Sequence, residues 1–422
     1  MNDSNTPTVI VGGGFVGLFT ALYLSHHNYS EPIVLIDATE RFVFKPLLYE
    51  YLSGEMYDKQ VLPQYKELLK GTKVAFVQGK VTNIDLEQRQ VELDSGLHYD
   101  YRYLVLGVGS SQGYFGTKGA KENAFPFRTG ADTVRLERHI RQCLQRASQT
   151  ESSAERKKLL TFAVVGAGHS GIETAVTLAD LLPHWYGSLG GNAEDIRIVV
   201  MDFVKEILAK EGSDLQETVQ SALKNRTIPI ELLLGAKVAG VDSDSVQYQL
   251  VDRDETETLD AKTTIWTAGI ANNPLIESLT QIKDESKDEH GSPLVTSTLQ
   301  LLDFPEVFAA GDCATVKDDP EPPVAQIAYQ QAKGIADNLI ALSKNKETHS
   351  VEANMRGTLI KLGLNEAVAN LFDKIQVKGR AGNLIRNQTY LEMLPTPMHN
   401  FKANTEWLTD EIFNRHHHSS SR

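Results

Sequence analysis

The sequence predicts an α/β fold made of two similar domains, each built around a mainly parallel sheet. The first observation is a repeat, because residues 8–17 read TVIVGGGFVG and residues 162–171 read FAVVGAGHSG, 154 residues further on. Each copy is a β-branched apolar run, a glycine cluster and a segment of helical periodicity. The second observation is that strand-like and helix-like segments alternate along the body of the chain, which favours parallel sheets. At 422 residues the chain also exceeds the usual size of one hydrophobic core.

Composition narrows the class of protein. A net charge of −13 argues against nucleic acid as a partner. The sequence has no apolar run long enough to span a bilayer, and its first residues do not read as a signal or transit peptide. With only Cys143 and Cys313, a disulfide framework and a four-cysteine metal site are excluded, and a reducing compartment fits. We expect no metal site, including at the isolated triplet His416–His418.

The first copy of the repeat has the pattern of a dinucleotide site. The motif G-x-G-x-x-G is satisfied by Gly12, Gly14 and Gly17. The first glycine permits a tight turn, the second lets a pyrophosphate approach the backbone, and the third lets helix pack on strand. A second apolar run ends in Asp37, 20 residues after Gly17. This spacing is expected of a carboxylate that accepts hydrogen bonds from ribose hydroxyls.

The second copy repeats this arrangement. Its glycines are Gly166, Gly168 and Gly171, and the next strand ends in Asp202, 31 residues after the last of them. An acid at this position favours NADH, because it would repel a 2′-phosphate. Lys205 is close enough in sequence to weaken that preference. The alternative is that Asp202 only ends a strand.

A third element strengthens the assignment of two nucleotide sites. Residues 306–314 read EVFAAGDCA, a strand that ends in Gly311 and Asp312. A carboxylate here can bind a ribitol, and the backbone N–H groups can bind a phosphate; taken alone, the pair would only indicate a turn. Two dinucleotides are therefore expected, and FAD is the simplest identity for one of them.

Taken together, these motifs resemble those of the type II NAD(P)H:quinone oxidoreductases, single-subunit flavoproteins related to disulfide reductases. The resemblance rests on the order GGGFVG, LVLGVGS, VVGAGHSGIE, TIWTAGI, VFAAGDCA and PPVAQIAYQQA. Residues 42–54, FVFKPLLYEYLSG, resemble the segment beside the flavin. Residues 389–400 with Trp407 resemble the cyanobacterial and plastid branch that reduces demethylphylloquinone. The chain departs from the family at its LGVG strand end and at His169.

The resemblance implies site residues. For FAD these are Gly12, Gly14, Phe15, Gly17, Asp37, Lys45, Pro46, Leu47, Val81, Gly109, Gly311, Asp312, Ala325 and Gln326. For NAD(P)H they are Gly166, Gly168, Gly171, Glu173, Asp202, Ala268 and Gly269. Catalytic roles near the quinone fall to Glu173, Gln326 and Gln330. The alternatives are a helix-terminal carboxylate favoured by the dipole and a solvated helix face.

The implied activity is that of an FAD-dependent NAD(P)H:quinone oxidoreductase that pumps no protons. A hydride from NADH or NADPH would pass through non-covalent FAD to a membrane quinone, a prenylated naphthoquinone such as demethylphylloquinone or a menaquinone. Because no cysteine pair is available, disulfide reduction and sulfide oxidation are excluded. Two rivals remain: a reductase of a protein partner, and a redox signalling flavoprotein like apoptosis-inducing factor.

The domain organisation follows from these motifs and from a change of charge near the C-terminus. We expect an FAD domain at residues 1–120 and 296–345, an NAD(P)H domain at 155–275 and a C-terminal region at 350–422. Residues 374–391 hold four basic residues and no acidic one, mixed with apolar side chains.

Such a segment favours an interfacial anchor on an anionic membrane. A core-capping or dimerisation helix is the alternative. The expected location is peripheral, on the cytoplasmic face of a thylakoid or plasma membrane in a cyanobacterium-like cell. A homodimer is left open.

Overall fold

The structure is a computed structural model that describes residues 6–372, 374–396, 399–400, 403 and 405. Trp407, the triplet His416–His418 and the last apolar residues of the expected anchor lie outside the described residues.

In the described part of the chain the strands β1 to β23 are, in order, Thr8–Val11, Ile33–Asp37, Val74–Gln78, Val81–Asp85, Gln90–Leu93, His98–Asp100, Tyr103–Leu106, Ser111–Gln112, Phe125–Pro126, Thr161–Val165, Arg197–Asp202, Ile230–Leu234, Ala236–Val241, Ser245–Leu250, Thr256–Asp260, Thr263–Trp266, Ile270–Ala271, Leu294–Val295, Val307–Ala309, Thr315–Val316, Gly357–Gly363, Glu366–Leu371 and Ile375–Lys378. The helices α1 to α12 are Phe15–His26, Leu48–Ser53, Asp58–Val61, Tyr65–Leu68, Ala120–Asn123, Gly130–Gln149, Ser153–Leu159, His169–Gly187, Ser213–Lys224, Pro274–Glu277, Ala325–Ser343 and Gly379–Glu392.

The first domain is built on a parallel five-stranded sheet in the order β19-β7-β1-β2-β3. Every residue of β1 is buried, and this strand reads as a continuous apolar run because helices cover both faces of a parallel sheet. The outer strand β19 pairs with β7 through Val307 and Leu104. Two separate stretches of chain therefore build this sheet, and they bring Gly311 and Asp312 to the same edge as the first glycine motif.

The second domain has the same design. Its parallel sheet has the order β12-β11-β10-β16-β9, with α8 packed against β10 and β11. A small antiparallel sheet, β13-β14-β15, follows. Strands β8 and β17 pair with each other across the two domains. The polar residues 148–158 form the end of α6, a short connection and most of α7.

The C-terminal region packs on both domains. It is an antiparallel sheet, β21-β22-β23, with α12 lying on β22 and β21 lying against α8. Helix α12 buries Asn383, Arg386, Asn387 and Leu391, so its inner face caps the core. Among the residues described, no helix is both long and apolar enough to cross a bilayer. Elements α2, α8, β21 and α12 therefore meet. The charged residues Glu50, Glu173, Lys361 and Arg386 lie where they meet.

Candidate active site

The first glycine motif forms a cradle whose shape the chain itself requires at two positions. Gly12 has a φ of +93°, and a Cβ there would lie 2.6 Å from the carbonyl oxygen of Gly107. A Cβ at Gly17 would lie 1.9 Å from the carbonyl oxygen of Gly12. A Cβ at Gly14 would instead meet its nearest described neighbour at 3.7 Å, an ordinary contact. The protein leaves room beside Gly14, where a phosphate would approach the backbone.

The carboxylate at the end of β2 fixes the turn of this cradle. Asp37 Oδ2 accepts from the Gly13 N–H at 2.7 Å, and Oδ1 accepts from the Thr39 N–H at 2.8 Å. A cavity of about 490 Å³ opens beside it. The cavity lining includes Gly12, Asp37, Val81, Val108, Asn273 and Ser278. Three residues that the sequence predicted for FAD thus share one cavity.

The second glycine motif repeats the first in detail. Gly166 has a φ of +114°, and a Cβ at Gly171 would lie 1.7 Å from the carbonyl oxygen of Gly166. A Cβ at Gly168 would meet no atom within 4 Å among the described residues. Asp202 Oδ2 accepts from the Ala167 N–H at 2.6 Å, as Asp37 does from Gly13. The chain therefore carries two cradles of one design, each with its central glycine open to a ligand.

The end of β16 joins the second cradle to the first domain. Trp266 Nε1 donates to the carbonyl oxygens of Gly113 and Ala268, both at 2.9 Å. Gln112 Nε2 donates to the carbonyl oxygens of Ala268 and Gly269, at 2.8 and 3.0 Å. Gly269 has a φ of +73°. The two residues predicted to contact NAD(P)H, Ala268 and Gly269, are thereby held at the junction of the two domains.

A second group of predicted FAD residues, Gly109, Asp312 and Lys45, lies near the cation Arg128. Asp312 Oδ2 accepts from Ser110 Oγ at 2.9 Å, and Gly109, with a φ of +63°, precedes that serine. Arg128 Nη2 donates to the carbonyl oxygen and Oγ of Ser110 at 2.9 and 2.8 Å. The Lys45 side chain is exposed to solvent, yet enough protein surrounds it to disfavour its charged form. Burial and the nearby Arg128 lower the pKa of Lys45, and Asp312 opposes them. Sequence reasoning missed Arg128.

An aromatic cluster positions the predicted flavin segment against α1. Phe15, the first residue of α1, lies 5.5 Å from Phe42 and 5.2 Å from Phe44 between ring centroids. The residues Lys45 to Leu47 follow as a short 3-10 turn in which Leu47 is buried. The Pro46 carbonyl oxygen accepts from Arg386 at 3.0 Å. The segment is thus fixed from the first domain and from the C-terminal region.

The two glutamines predicted near the quinone lie on one face of α11, whose first residue is Ala325. Gln330 Nε2 donates to the carbonyl oxygen of Gln326 at 2.9 Å, as their helical spacing predicts. Both side chains also bind the backbone that leads into β21. Gln326 bonds the Gly357 oxygen and the Arg356 N–H at 3.0 and 3.2 Å, and Gln330 bonds Asn354 in the same way. In the structure both amides therefore hold the C-terminal region on α11.

Glu173 belongs to a buried network of five charged side chains. From one end to the other its hydrogen bonds are Glu55–Lys361 at 2.7 Å, Lys361–Glu50 at 3.0 Å, Glu50–Arg386 at 2.6 Å and Arg386–Glu173 at 3.2 Å. Glu173 also accepts from the Lys361 N–H at 2.7 Å. The side chains of Lys361 and Arg386 are 0% exposed, whereas those of Glu55 and Glu173 are 11% and 10% exposed. The middle members of the network are therefore buried, and its two end carboxylates, Glu55 and Glu173, approach the surface.

The charges of this side-chain network do not balance, since three carboxylates face two cations. Burial raises the pKa of Glu173 against the opposing effect of Arg386. Burial likewise raises the pKa of Glu55, with Lys361 opposing it. Burial alone would raise the pKa of Glu50, but Arg386 and Lys361 together lower it. The two end carboxylates are thus the members that most readily hold a proton.

Of these five residues, sequence reasoning singled out only Glu173. Glu50 lies within the segment 42–54, which was chosen for its other residues. Lys361 carried a usable signal, because it is the one charged residue in the apolar strand GTLIKLG, and a buried lysine requires a partner. Arg386 gave no such signal, since it follows basic residues on a helix that reads as exposed.

Neither cysteine has the position of a redox thiol. Cys143 lies on α6 and Cys313 lies beyond β19, and both are buried and unpaired. Burial raises the pKa of Cys313 to about 11 and also raises that of Cys143. Because the thiolate is the reactive form, neither group is suited to disulfide exchange.

Comparison with known proteins agrees with this geometry. The pyridine nucleotide-disulphide oxidoreductase family matches residues 6–332. The chain is 30% identical to the demethylphylloquinone reductase of Synechocystis sp., over 97% of each protein. It is 30% identical to the alternative NAD(P)H-ubiquinone oxidoreductase C1 of Arabidopsis thaliana, over 96% of this chain and 81% of that protein.

The chain belongs to the type II NAD(P)H:quinone oxidoreductases. It has the fold of NDH2 from Plasmodium falciparum in complex with NADH, with a TM-score of 0.87, 18% identity and coverage of 96% of this chain and 98% of that one. The resemblance drawn from the motifs is confirmed, and so is the α/β fold with two dinucleotide-binding domains. As a member of this family the chain is an oxidoreductase and a flavoprotein, and the family supports quinone reduction by NADH.

Proposed function

We propose that the chain is an FAD-dependent NADH:quinone oxidoreductase that acts at a membrane surface and pumps no protons. The observation that carries the proposal is the pair of matching glycine cradles. The two domains that hold them are joined by the hydrogen bonds of Gln112 to Ala268 and Gly269. The buried carboxylate of Glu173 lies in the first turns of α8, the helix that begins at the second cradle. One cradle suits FAD and the other suits NADH.

The first domain would hold FAD. The glycine cradle at Gly14 and the cavity beside Asp37 and Val81 fit its adenosine diphosphate. Lys45 and Asp312 would lie along the rest of the cofactor, with Arg128 as an additional cation. When bound, FAD supplies the acceptance of a hydride from NADH and the delivery of two electrons to a quinone.

Glu173 would supply a proton in this reaction, because reduction of a quinone to a quinol takes up two protons with the two electrons. Its raised pKa suits a carboxyl group that is protonated and deprotonated during turnover. It lies where α2, α8, β21 and α12 meet. Gln326 and Gln330 would contribute by holding the wall of the site, since their amides bind residues 354–357.

The electron acceptor would be a prenylated naphthoquinone of the demethylphylloquinone or menaquinone type. The name of the Synechocystis relative, a demethylphylloquinone reductase, supports this choice. Stopped-flow reoxidation of the reduced flavin should be fast with a menaquinone analogue and slow with ferredoxin or oxygen. A ubiquinone analogue tests the acceptor named in the Arabidopsis relative. If no quinone reoxidises the flavin, the proposed function is wrong, and fast oxidation by ferredoxin would favour reduction of a protein partner.

The nicotinamide substrate would be NADH, and one exposed ion pair would contribute to this preference. Asp202 occupies the strand end, and Lys205 is paired with Asp252 at 3.0 Å. Asp252→Asn should free the lysine for a 2′-phosphate and lower the KM for NADPH by about twofold to fivefold, the effect of an exposed charge pair. The KM for NADH should not change.

Steady-state kinetics with both nucleotides measure this effect. Asp254→Asn, two residues further along the same exposed stretch, makes an identical change of charge and is the control. An equal gain in both variants would mean that net charge, not the release of Lys205, is responsible.

The membrane contact would lie on the outer surface of the C-terminal region, because the inner face of α12 is buried. Three apolar side chains are exposed there: Phe372 by 67%, Ile375 by 58% and Leu384 by 53%. Lys374 and Arg380 are their basic neighbours in sequence. Exposed apolar side chains with basic neighbours suit the surface of an anionic bilayer. The enzyme would then be peripheral, on the cytoplasmic face of a thylakoid or plasma membrane.

Replacement of Phe372 and Ile375 by aspartate should lower binding to vesicles that contain anionic lipid by more than about tenfold, since each apolar side chain contributes on the order of 1.5 kcal/mol or more when buried. Co-sedimentation with vesicles measures this. Leu97→Asp, at an equally exposed position of the first domain, is the control. Point variants are preferable to truncation after Val377, because truncation also removes the buried Arg386. Unchanged vesicle binding in the double variant would mean that Phe372 and Ile375 do not contact the membrane.

A further inference from the structure

Arg386 divides its hydrogen bonds unequally between two carboxylates. Its Nη1 lies 2.6 Å from Glu50, within the range of a strong charge-assisted hydrogen bond. Its Nη2 lies 3.2 Å from Glu173 and also donates to the Pro46 oxygen at 3.0 Å. The closer contact is the one with Glu50, since the second bond of Nη1, to Asn387 Oδ1, is much longer at 3.4 Å. Most of the stabilisation that this guanidinium can give a carboxylate therefore goes to Glu50 and not to Glu173.

Glu50 is held in this position from its other side. Its Oε1 also accepts from Lys361 at 3.0 Å, while Lys361 makes a closer bond of 2.7 Å to Glu55. Glu50 Oε2 and Arg386 Nε have no hydrogen-bond partner in the described part of the chain. The two cations that bind the Glu50 carboxylate therefore share one oxygen, and release of Arg386 would leave Lys361 as the only cation bound to it among the described residues.

Six titratable groups face Glu173, and Arg386 is the cation whose side chain bonds to it. They are, from the elements packed around it, Arg386 and Tyr390 of α12, Glu50 and Tyr49 of α2, Lys361 of β21 and His169 of its own helix. The Lys361 ammonium is directed to Glu50 and Glu55, and only its backbone N–H reaches Glu173. His169 is paired with Glu211 at 3.0 Å. Arg386 is thus the cation on which the charge state of Glu173 depends.

We propose that Glu50 is a positioning residue for the proton on Glu173, because it takes the nearer hydrogen bond of Arg386 and so leaves Glu173 able to hold a proton. The inference rests on the proposed role of Glu173 in quinone reduction. Glu50→Gln keeps the size of the side chain and removes its charge. Arg386 would then pair fully with Glu173 and favour the ionised carboxylate.

The sign of the effect follows from this pairing. If protonated Glu173 is the active form, the rate of quinone reduction falls as the pH rises through its pKa. Glu50→Gln lowers that pKa, so the falling limb of the pH profile of kcat/KM for quinone should move to lower pH by about one unit or more, the effect of one opposite charge nearby. Glu67→Gln, an equal change at an exposed position of the same domain, should leave the limb in place.

A second measurement does not depend on turnover. Infrared difference spectra recorded during a pH titration report the protonated carboxyl band, and Glu173→Gln identifies the share that belongs to Glu173. In Glu50→Gln this share should be lost at lower pH than in the unaltered protein. Glu55→Gln is the second variant if Glu50→Gln fails to fold. It leaves Lys361 to Glu50 alone, so it should move the limb in the same direction by a smaller amount.

The outcomes separate the two proposals. A limb that Glu173→Gln abolishes but Glu50→Gln and Glu55→Gln leave unmoved would overturn the inference and leave the proposed function standing. A pH profile that Glu173→Gln does not alter would overturn the proton role of Glu173 itself. A shift of the limb together with the infrared band, at unchanged KM for NADH, supports the role of Glu50.

Discussion

Gly171→Ala is expected to slow reduction of the flavin by NADH by at least about a hundredfold while the flavin stays bound. A Cβ at position 171 would lie 1.7 Å from the Gly166 oxygen and 2.9 Å from Thr267 Oγ1. The start of α8 must therefore move away from β10, and the cradle that would hold the pyrophosphate opens. Misplacement by about 1 Å costs on the order of a hundredfold in rate, so stopped-flow reduction by NADH should slow by at least about that factor.

Two further glycines of α8 and its cap serve as matched variants. Gly168→Ala adds a methyl group that meets no described protein atom within 4 Å, so it should keep the thermal stability of the protein and still weaken NADH binding. Gly187→Ala, at the other end of α8 and equally free of neighbours, should change neither. Normal NADH kinetics in Gly168→Ala would mean that the nucleotide does not approach this turn. Loss of flavin in a folded Gly171→Ala protein would contradict the division of labour between the cradles.

These cradles could be predicted from the sequence because their determinants are local. The steric need for glycine at Gly12 and Gly17 arises within one strand–turn–helix unit, and Asp37 reaches the same turn from the next strand. The second cradle follows the same rule, although an insertion lengthens the path to Asp202. The longer spacing has no effect on the cradle, because β11 pairs directly with β10 and returns the carboxylate to the turn.

The network of charged side chains around Glu173 could not be predicted, because tertiary packing alone brings its members together. Lys361 and Arg386 are 311 and 336 residues away from Glu50 in the sequence. For the same reason the helical spacing of Gln326 and Gln330 predicted a shared face of α11 but not the strand that the face would bind. Local patterns specify which groups an element presents, whereas the partner depends on how three regions of the chain dock.

Lys361→Met is expected to be the most destabilising single change at the site. The lysine side chain is 0% exposed and separates two carboxylates, Glu50 and Glu55, that otherwise face each other in a buried position. Removal of one partner of a buried ion pair costs about 3–5 kcal/mol, because the remaining charge is neither hydrated nor paired. The apparent Tm of the flavin-bound protein should fall by about 3–6 °C. Lys66→Met, at an exposed position, should change it little.

The pH dependence identifies the cause of the loss. Without Lys361, the pKa of Glu55, which burial already raises, should rise further above its unfolded value. A group with a raised folded-state pKa favours folding below its unfolded pKa and loses that contribution as the pH rises through the folded value. The deficit of Lys361→Met should therefore narrow in acid and widen above neutral pH. Adding Glu55→Gln should recover much of the lost stability, since it removes the carboxylate left unpaired. A deficit that is independent of pH and is not relieved by Glu55→Gln would mean that packing, rather than charge, accounts for the effect.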